Sequence, residues 1–403
     1  MDRISNRFLS TALVLGTVAV AAFGFSELTF AQPAAPAAAP AGRGAAAQRP
    51  MQYDPATWVG CHRVAKGPDG NSGEICAPSI RTGTPEIQER LAAEAAANLA
   101  AGRGPAGRGA AATPAPMVCN PALNAVAGGG RGPTQGGRGK IRVLVVVKGH
   151  PYERGLFDDF LDCLGADITW TRADHPGADL LMSPAGGKLF DAYLFYDLGG
   201  AGQVMPDGSG DRFYPDPSPQ LKKDYEALLK QGKGMVFIHH ASAAWPHVWP
   251  EYSEVVGGAC DWFAPVTVRG ILDPHHGFYQ GTEQRITVVD KTSPITQGLG
   301  DGFDVRDEAY ACAWFPEKVH PLLTTSFAPP DPLVNLNPKR QYSNLAAWYK
   351  AAENSPVFYT QIGHDNNPWR NPAYQLLISN AIKWAASPEA LAWAKKNPAK
   401  IFK

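Results

Sequence analysis

Residues 141–151 read Ile-Arg-Val-Leu-Val-Val-Val-Lys-Gly-His-Pro. A continuous run of β-branched and other apolar residues is typical of a strand that is buried on both faces of a sheet. The run ends at Gly149 and His150, and apolar residues at helical spacing follow over residues 153–164. A buried strand that passes directly into a helix predicts the start of a parallel α/β sheet.

The rest of the chain continues this pattern. Further strands are predicted over residues 167–172, 193–198, 234–240, 284–289, 322–327 and 356–362, and helices over residues 218–230 and 371–386. This alternation predicts an open, mostly parallel, doubly wound sheet with helices on both faces. Ligands of such sheets bind outside the carboxyl ends of the strands. A site is therefore expected at the loops that begin at His150, Tyr196, His239 and His364.

The N-terminus has the layout of a secretory signal peptide. Arg3 and Arg7 precede an apolar run over residues 8–25, and Ala31 is a suitable small residue for cleavage. We expect residues 1–31 to be removed and the mature protein to be exported, to the periplasm or outside the cell. The run is just long enough to cross a bilayer, so an uncleaved anchor is the alternative.

The next segment, residues 32–140, is predicted to be a linker with a small appendage. Residues 32–50 and 101–140 are rich in Ala, Pro and Gly, which gives too little apolar surface to offset the entropy lost on ordering. Between them, residues 53–81 contain Trp58 and two cysteines, and residues 85–99 have a helical composition. The α/β domain is then predicted over residues 141–386, with a C-terminal tail over residues 387–403.

The charge balance limits the choice of partners. Lys and Arg number 37, and Asp and Glu also number 37, so no net field attracts nucleic acid or an anionic membrane. Arg-Gly repeats in the linker resemble RNA-binding segments, but export and zero net charge argue against that function. We therefore expect no nucleic-acid partner, and no membrane contact beyond the signal peptide. The sequence leaves a homo-oligomer open.

Export implies an oxidising compartment, in which six cysteines can pair in 15 ways. Cys61 and Cys76 are the first candidates for a disulfide because they lie close together in a segment too thin to build a core. Cys163 falls on the apolar stripe of the first helix, where a buried thiol is expected. Cys260 and Cys312 stay unassigned. The chain has no Cys-x-x-Cys motif, which excludes a zinc knuckle.

Two histidines end the predicted strand over residues 234–240, which reads Gly-Met-Val-Phe-Ile-His-His. Neighbouring strand residues face opposite ways, so His239 and His240 enter one site only if the strand has already ended. We expect one of them to act in catalysis or binding and the other to support it. A packed histidine bonded to the backbone is the alternative.

Three other segments bring polar groups to the same region. His364 and Asp365 follow the last predicted strand, where they place an imidazole and a carboxylate at the same sheet edge as His240. Residues 304–310, predicted to be irregular, contain Asp307, Glu308 and Tyr310, for which solvated charges are the alternative. After the first strand, residues that could bind an anion or hydroxyls at a helix start are His150, Tyr152 and Arg154.

Together these motifs resemble the ThuA-like (trehalose utilisation) family over about residues 141–386. They are a Gly-His loop, a His-His-Ala strand end, Asp-Glu-x-Tyr, and Phe-Tyr-x-x-x-Gly-His. The resemblance implies the fold of class I glutamine amidotransferases and a role in the metabolism of trehalose, related disaccharides or 3-keto-glycosides. In those amidotransferases a cysteine nucleophile occupies the sharp turn that here contains His239 and His240. Because imidazole cannot replace that thiolate, glutamine hydrolysis is not expected.

The leading hypothesis is acid/base chemistry on a glycoside or its keto form. His240 and His364 would exchange protons, and Glu308 or Asp307 would orient an imidazole. Trp245, Trp249 and Trp369 would stack on the sugar at the rim of the site. The alternatives are a non-catalytic sugar-binding or scaffold module and a metal-dependent hydrolase.

A divalent metal such as zinc is considered because the chain offers suitable ligands, namely His239, His240, His364, Glu308 and the pair His275-His276. The sequence contains no His-Glu-x-x-His motif that would place two of them on one helix face. A nicotinamide cofactor is not expected either, since no Gly-x-Gly-x-x-Gly follows the first strand.

Overall fold

A sheet of ten strands forms the core of the protein. The computed structural model describes residues 60–64, 73–77, 116–128, 134–150, 152–199, 217–261, 266–273, 276–329 and 343–402. The predicted signal peptide and the predicted helix over residues 85–99 lie outside these residues.

The strands and helices have the following bounds. The strands are β1 (Gly60–Val64), β2 (Gly73–Ala77), β3 (Gln135–Gly137), β4 (Ile141–Lys148), β5 (Ile168–Asp174), β6 (Ala192–Asp197), β7 (Gly234–Ile238), β8 (Gly258–Ala259), β9 (Val266–Val268), β10 (Ile271–Asp273), β11 (Gly277–Val288), β12 (Gly302–Ala311), β13 (Ala313–Trp314), β14 (His320–Thr325), β15 (Leu345–Ala352) and β16 (Ser355–Thr360). The α-helices are α1 (Arg154–Asp162), α2 (Gly177–Leu181), α3 (Pro219–Gln231), α4 (Pro250–Val256), α5 (Asn366–Arg370), α6 (Pro372–Ala385) and α7 (Pro388–Lys396).

The parallel strands lie in the middle of the large sheet, whose order is β12-β11-β14-β15-β16-β7-β6-β4-β5-β3. Strands β16, β7, β6, β4 and β5 pair in parallel, and their carboxyl ends therefore lie at one edge of the sheet. The strands on either side of this block pair antiparallel. The sheet is thus mixed, with its parallel part where the sequence predicted it.

Helices cover both faces of the parallel strands, as the doubly wound prediction requires. In β4, Leu144 and Val146 pack in one apolar cluster with residues of α3 and α4. Val143, Val145 and Val147 pack in the other cluster, with residues of α1 and α6. Every one of these β4 side chains is buried because successive strand residues point to opposite faces. The predicted fold class is confirmed.

Two strands differ from the sequence prediction. Residues 304–310 belong to the regular strand β12, so the prediction of an irregular stretch was wrong. The first half of β12 alternates buried and exposed residues, and the second half is buried throughout. Strand β15, Leu-Ala-Ala-Trp-Tyr-Lys-Ala-Ala, was not predicted. Its alanines favour helices, but pairing with β14 and β16 determines its conformation.

The linker prediction does not hold for the end of the Ala/Pro/Gly-rich region. Met117 and Leu123 are buried, and Leu123 ends a short 3₁₀ turn over Pro121–Leu123. Strand β3 extends the sheet by pairing with β5. These contacts show that residues 116–128 and 134–140 are part of the folded domain.

The C-terminal segment is also packed rather than a tail. Helix α7 begins after Ser387, whose side chain accepts a hydrogen bond from the Ala390 N–H. The helix buries Ala390 and Ala394, and Ile401 and Phe402 pack against the core cluster on the α3 face. The folded unit therefore extends past the boundary predicted at residue 386.

Two disulfides connect described parts of the chain, Cys119 to Cys163 and Cys260 to Cys312. The first disulfide corrects the prediction of a buried free thiol at Cys163. Its other cysteine, Cys119, lies in the predicted linker. In the hairpin of β1 and β2, the backbone register places Cys61 directly opposite Cys76. Their disulfide stays a prediction. Among the described residues, no helix is long and apolar enough to cross a membrane.

We predict that the double variant Cys119→Ser, Cys163→Ser is destabilised by about 2–4 kcal/mol, since the cross-link restricts a long loop of the unfolded chain. Chemical denaturation without reductant measures this loss. Adding a thiol reductant to the same variant then reports on the remaining disulfides alone. An unfolding curve that matches the wild type would show that residues 116–128 contribute little to stability.

Candidate active site

Four histidines meet at the carboxyl edge of the parallel strands. His150 follows β4, His239 and His240 follow β7, and His364 comes shortly after β16. Ring centroids are 4.7 Å apart for His150 and His240, and 5.2 Å for His150 and His364. The centroid of His239 lies 5.2 Å from that of His240 and 5.1 Å from that of His364. The four rings therefore form one closed cluster.

Tight backbone turns make this convergence possible. Strand β7 ends at Ile238, and a 3₁₀ turn over His239–Ala243 follows. His239 has a φ of 55°, a left-handed conformation that costs energy for a residue with a side chain. Because the strand has already ended, both His239 and His240 enter the site. The condition set by strand alternation in the sequence analysis is thereby met.

Glycines before the other two histidines serve the same purpose. Gly149 has a φ of 91°, and a Cβ there would come within 2.2 Å of the Leu198 carbonyl oxygen. Gly363 has a φ of 137°, and a Cβ would come within 2.4 Å of the Tyr374 hydroxyl. Only glycine fits such positions without displacing the backbone. The Gly-His pairs of the sequence thus have a steric origin.

Backbone carbonyls fix the tautomers of the two buried histidines. The Nδ1 of His239 lies 2.8 Å from the Gln361 carbonyl oxygen, and the Nδ1 of His240 lies 3.2 Å from that of Asp197. A carbonyl only accepts, so in each ring Nδ1 carries the proton and Nε2 carries the lone pair. Burial lowers the pKa of both imidazoles, that of His240 well below its usual value. Both rings are therefore neutral near pH 7.

Glu308 joins the cluster from β12. Its Oε2 lies 3.3 Å from the Nε2 of His239, and its Oε1 lies 3.5 Å from the Nε2 of His364. Burial alone would raise the pKa of Glu308, but the charge of His364 lowers it to about 2. Burial by itself would lower the pKa of His364. The negative charges of Glu308 and Asp365 outweigh it and raise that pKa to about 9. The two side chains form an ion pair.

Tyr310 and Asp307 flank Glu308 on the same strand. The Tyr310 hydroxyl lies 2.5 Å from the Nε2 of His239 and 3.4 Å from the Oε2 of Glu308. Asp307 accepts hydrogen bonds from the backbone N–H groups of Gly363 (2.6 Å) and His364 (3.1 Å). Burial raises the pKa of Asp307 to about 8. In this arrangement Tyr310 contacts His239 directly, whereas Asp307 holds the loop that carries His364.

The remaining predicted residues lie away from the cluster of rings or beside it. Arg154 forms an ion pair with Asp174 at 2.6 Å. Tyr152 packs edge-on against Tyr196, and burial raises its pKa to about 12. Asp365 caps helix α5, and its Oδ2 lies 3.9 Å from the Nδ1 of His364. Asp365 thus lies beside a histidine of the cluster.

The three tryptophans are buried in the core, so the prediction that they stack on sugar at the rim was wrong. Trp245 and Trp249 are 2 % and 1 % exposed and pack against Tyr252. Trp369 is 1 % exposed, and its indole N–H donates to the Gly363 carbonyl oxygen. These large side chains serve the packing of the core.

Sequence reasoning missed the residues that hold the cluster together. The backbone carbonyl of Gln361 accepts a hydrogen bond from His239 Nδ1. Its side-chain Oε1 accepts one from the Tyr310 N–H, and its Nε2 donates one to the Leu345 carbonyl oxygen. Tyr196 donates to the His364 carbonyl oxygen and lies with its ring centroid 4.3 Å from that of His240. Tyr196 begins one of the loops expected at the sheet edge, and Gln361 lies near the end of the predicted strand over residues 356–362. Position at the sheet edge was the signal for both, but neither was predicted to contact the site.

Comparison with known proteins finds one family model that is similar to part of this chain. The model of ThuA, described as trehalose utilisation, matches residues 216–385, which include His239, His240, Glu308 and His364. The resemblance predicted from the sequence is confirmed over that segment, and it supports a carbohydrate-related role in general. Among curated proteins, none matches the chain significantly.

Solved structures similar to this chain include ThuA-like proteins and a glutamine amidotransferase. A putative ThuA-like protein from Parabacteroides merdae has 17% identity and a TM-score of 0.45, with 61% of this chain and 90% of that chain covered. One from Bacteroides uniformis has 16% identity and a TM-score of 0.42, with 61% and 91% covered. A glutamine amidotransferase from Thermotoga maritima has 12% identity and a TM-score of 0.32, with 62% and 100% covered.

We predict that Trp249→Ala lowers the free energy of unfolding by about 3–5 kcal/mol, because it leaves a cavity in the core. The half-exposed Trp384, changed to Ala, is the matched control and should cost less. Thermal and chemical denaturation measure both variants. Unchanged stability of Trp249→Ala, together with weaker sugar binding, would restore the predicted role at the rim.

Proposed function

We propose that this protein is an exported carbohydrate-active enzyme that moves a proton at a carbon next to the carbonyl group of a keto-glycoside. The observation that carries the proposal is the neutral ring of His240 in the cluster. Its Nδ1 is engaged by the Asp197 carbonyl, whereas its Nε2 is buried and has no hydrogen-bond partner among the described residues. A buried lone pair without a partner costs stability, which is a common sign of function.

The roles of the surrounding groups follow from their positions. His240 takes the proton from carbon at Nε2, and the electron pair stays on the substrate as an enolate. His364 forms an ion pair with Glu308, and it is the more exposed of the two, with 22% of its side chain accessible against 7%. It can therefore stabilise the developing enolate oxygen and later return a proton. Glu308 keeps His364 charged and in place.

The substrate class rests on the family and on this chemistry. The matched family is named for trehalose utilisation, and its model spans all but one of the histidines in the cluster. Proton transfer next to a carbonyl requires a keto group, which an oxidised disaccharide would supply. Isomerisation, elimination and hydrolysis of such a sugar all begin with this step.

We also propose that the protein does not hydrolyse glutamine. The turn after β7 has His239 in its left-handed position. The amidotransferases that this chain resembles have their nucleophilic cysteine at that turn. Cys163, Cys260 and Cys312 are all in disulfides. A thiolate nucleophile is therefore not offered by these three residues.

His240→Asn should lower turnover of a keto-disaccharide by about 10²- to 10⁴-fold, the usual range for a general base, with little loss of stability. Exchange of the carbon-bound proton for solvent deuterium, followed by NMR, measures the step directly. His320→Asn is the control, since His320 is exposed and hydrogen-bonded to Asp290 on another part of the sheet. Accelerated exchange of equal rate in the wild type and His240→Asn would remove His240 as the base. Exchange by the wild type no faster than without protein would leave a non-catalytic sugar-binding module as the better proposal.

Export is proposed from the signal-peptide pattern, and the two disulfides of the described chain support it, since such bonds persist in oxidising compartments. We expect intact-mass analysis of the protein secreted by its host to give a chain that lacks residues 1–31. A full-length chain that keeps Met1 and sediments with membranes would instead show that the apolar run is an anchor.

A further inference from the structure

The nitrogen and oxygen atoms that converge in the ring cluster have the arrangement of a metal centre. His239, Glu308 and His364 each offer one ligand atom, and these atoms all lie within 4.8 Å of one another. His239 and His364 approach the same carboxylate from its two oxygens, at 3.3 and 3.5 Å. Zinc bonds to nitrogen and oxygen of about 2.0–2.1 Å at a tetrahedral angle place ligand atoms roughly 3.3 Å apart. Each histidine nitrogen already lies at about that distance from one oxygen of Glu308.

The second layer around these ligands is also of the kind that metals require. A metal-binding histidine almost always donates its other ring N–H to a carbonyl or carboxylate oxygen, which points the lone pair at the metal. His239 does so with the Gln361 carbonyl oxygen at 2.8 Å. The Nδ1 of His364 faces the Oδ2 of Asp365 at 3.9 Å. The backbone, through Gln361, thus presets His239 for ligation at Nε2.

We propose that His239 Nε2, Glu308 and His364 Nε2 bind one divalent transition-metal ion, with zinc as the expected species. Two imidazoles and one carboxylate favour such an ion over Mg²⁺ or Ca²⁺, which prefer oxygen ligands. Three protein ligands leave a coordination position open for substrate, as in catalytic rather than structural sites. His364 is 22% accessible at its side chain, compared with 0% for His239, so it is the ligand with room to adjust. Its Nε2 would release its proton to solvent when the ion binds.

The Tyr310 hydroxyl would compete with a metal ion for the Nε2 of His239. This hydroxyl lies 2.5 Å from His239 Nε2, the atom that the metal would use, and 3.4 Å from Glu308 Oε2. When the ion binds, the hydroxyl has to give up the histidine and can donate to the carboxylate instead. Removing the hydroxyl therefore removes a competing partner without removing a ligand.

The proposal deepens the proposed function but does not depend on it. A cation at this point would polarise the keto oxygen of the substrate and so take over the electrostatic role of His364 in the metal-free site. The ring of His240, which stacks on His150 with centroids 4.7 Å apart, stays available as the base. Binding of the ion can be measured without any substrate.

The test uses untagged, chelator-stripped full-length protein titrated with Zn²⁺ by calorimetry, with metal content checked by elemental analysis and Co²⁺ used as a spectroscopic probe. The wild type should take up one equivalent, and the visible bands of Co²⁺ should indicate a four-coordinate site. Glu308→Gln and His364→Asn should each weaken Zn²⁺ binding by tenfold or more. Tyr310→Phe should bind as tightly as the wild type or more tightly, and the control His320→Asn should be unchanged.

Thermal denaturation of each stripped variant establishes that it is folded, and His364→Asn, at the accessible edge of the site, serves if Glu308→Gln does not fold. Equal binding by the wild type, Glu308→Gln and His364→Asn would overturn the proposal, because the ion would then sit elsewhere. Absence of stoichiometric binding by the wild type would overturn it too. Full deuterium exchange by protein that binds no zinc would contradict the metal site and leave the proposed function in place. Zinc binding without exchange in either state would support the metal site and remove the proposed function.

Discussion

The site depends on one constraint, the turn that ends β7 at Ile238. If the strand continued for two more residues, His239 and His240 would point to opposite faces of the sheet, and only one could reach the other histidines. The left-handed φ of 55° at His239 stops the strand early and starts the 3₁₀ turn. The local strain has to be offset by the surrounding structure, and its persistence at a sheet edge is typical of functional turns.

Gln361 holds the strained turn in place. Its carbonyl holds His239, and its side chain connects the β12 backbone at Tyr310 to the β15 backbone at Leu345. The antiparallel strand β12 is thereby fixed against the end of β16, although the two strands are not neighbours in the sheet. Asp307 reinforces the same junction by accepting two backbone N–H groups of the His364 loop. Polar groups buried in such a network have to be fully paired, which makes the geometry specific.

The parallel half of this arrangement could be predicted from the sequence. Buried strands that end in Gly-His or His-His place their polar residues at one edge by topology alone, so the meeting of His150, His240 and His364 was expected. The sequence offers no such argument for Glu308. It lies on a strand that the pattern predicts to be irregular, so only the family resemblance pointed to it. No local signal indicates which antiparallel strand folds back onto the edge.

The misplaced tryptophans and the missed disulfide have the same physical cause. Trp249 and Trp369 read equally well as rim or core residues, since burial is decided by partners that are distant in the sequence. Cys119 lies in a segment whose composition argues against folding, yet its disulfide to Cys163 and the burial of Met117 attach that segment to the core. Composition predicts average behaviour and cannot identify a single anchored stretch within a linker.

The two chemical readings of the site share one requirement, a neutral imidazole whose Nε2 carries the lone pair. A general base and a metal ligand both need it, and in both His239 and His240 a backbone carbonyl supplies it through Nδ1. A carbonyl cannot change its protonation state, so the tautomer is set by the fold and not by neighbouring titratable groups. The turn after β7 thus presents a pair of preset nitrogen lone pairs at the edge of the sheet.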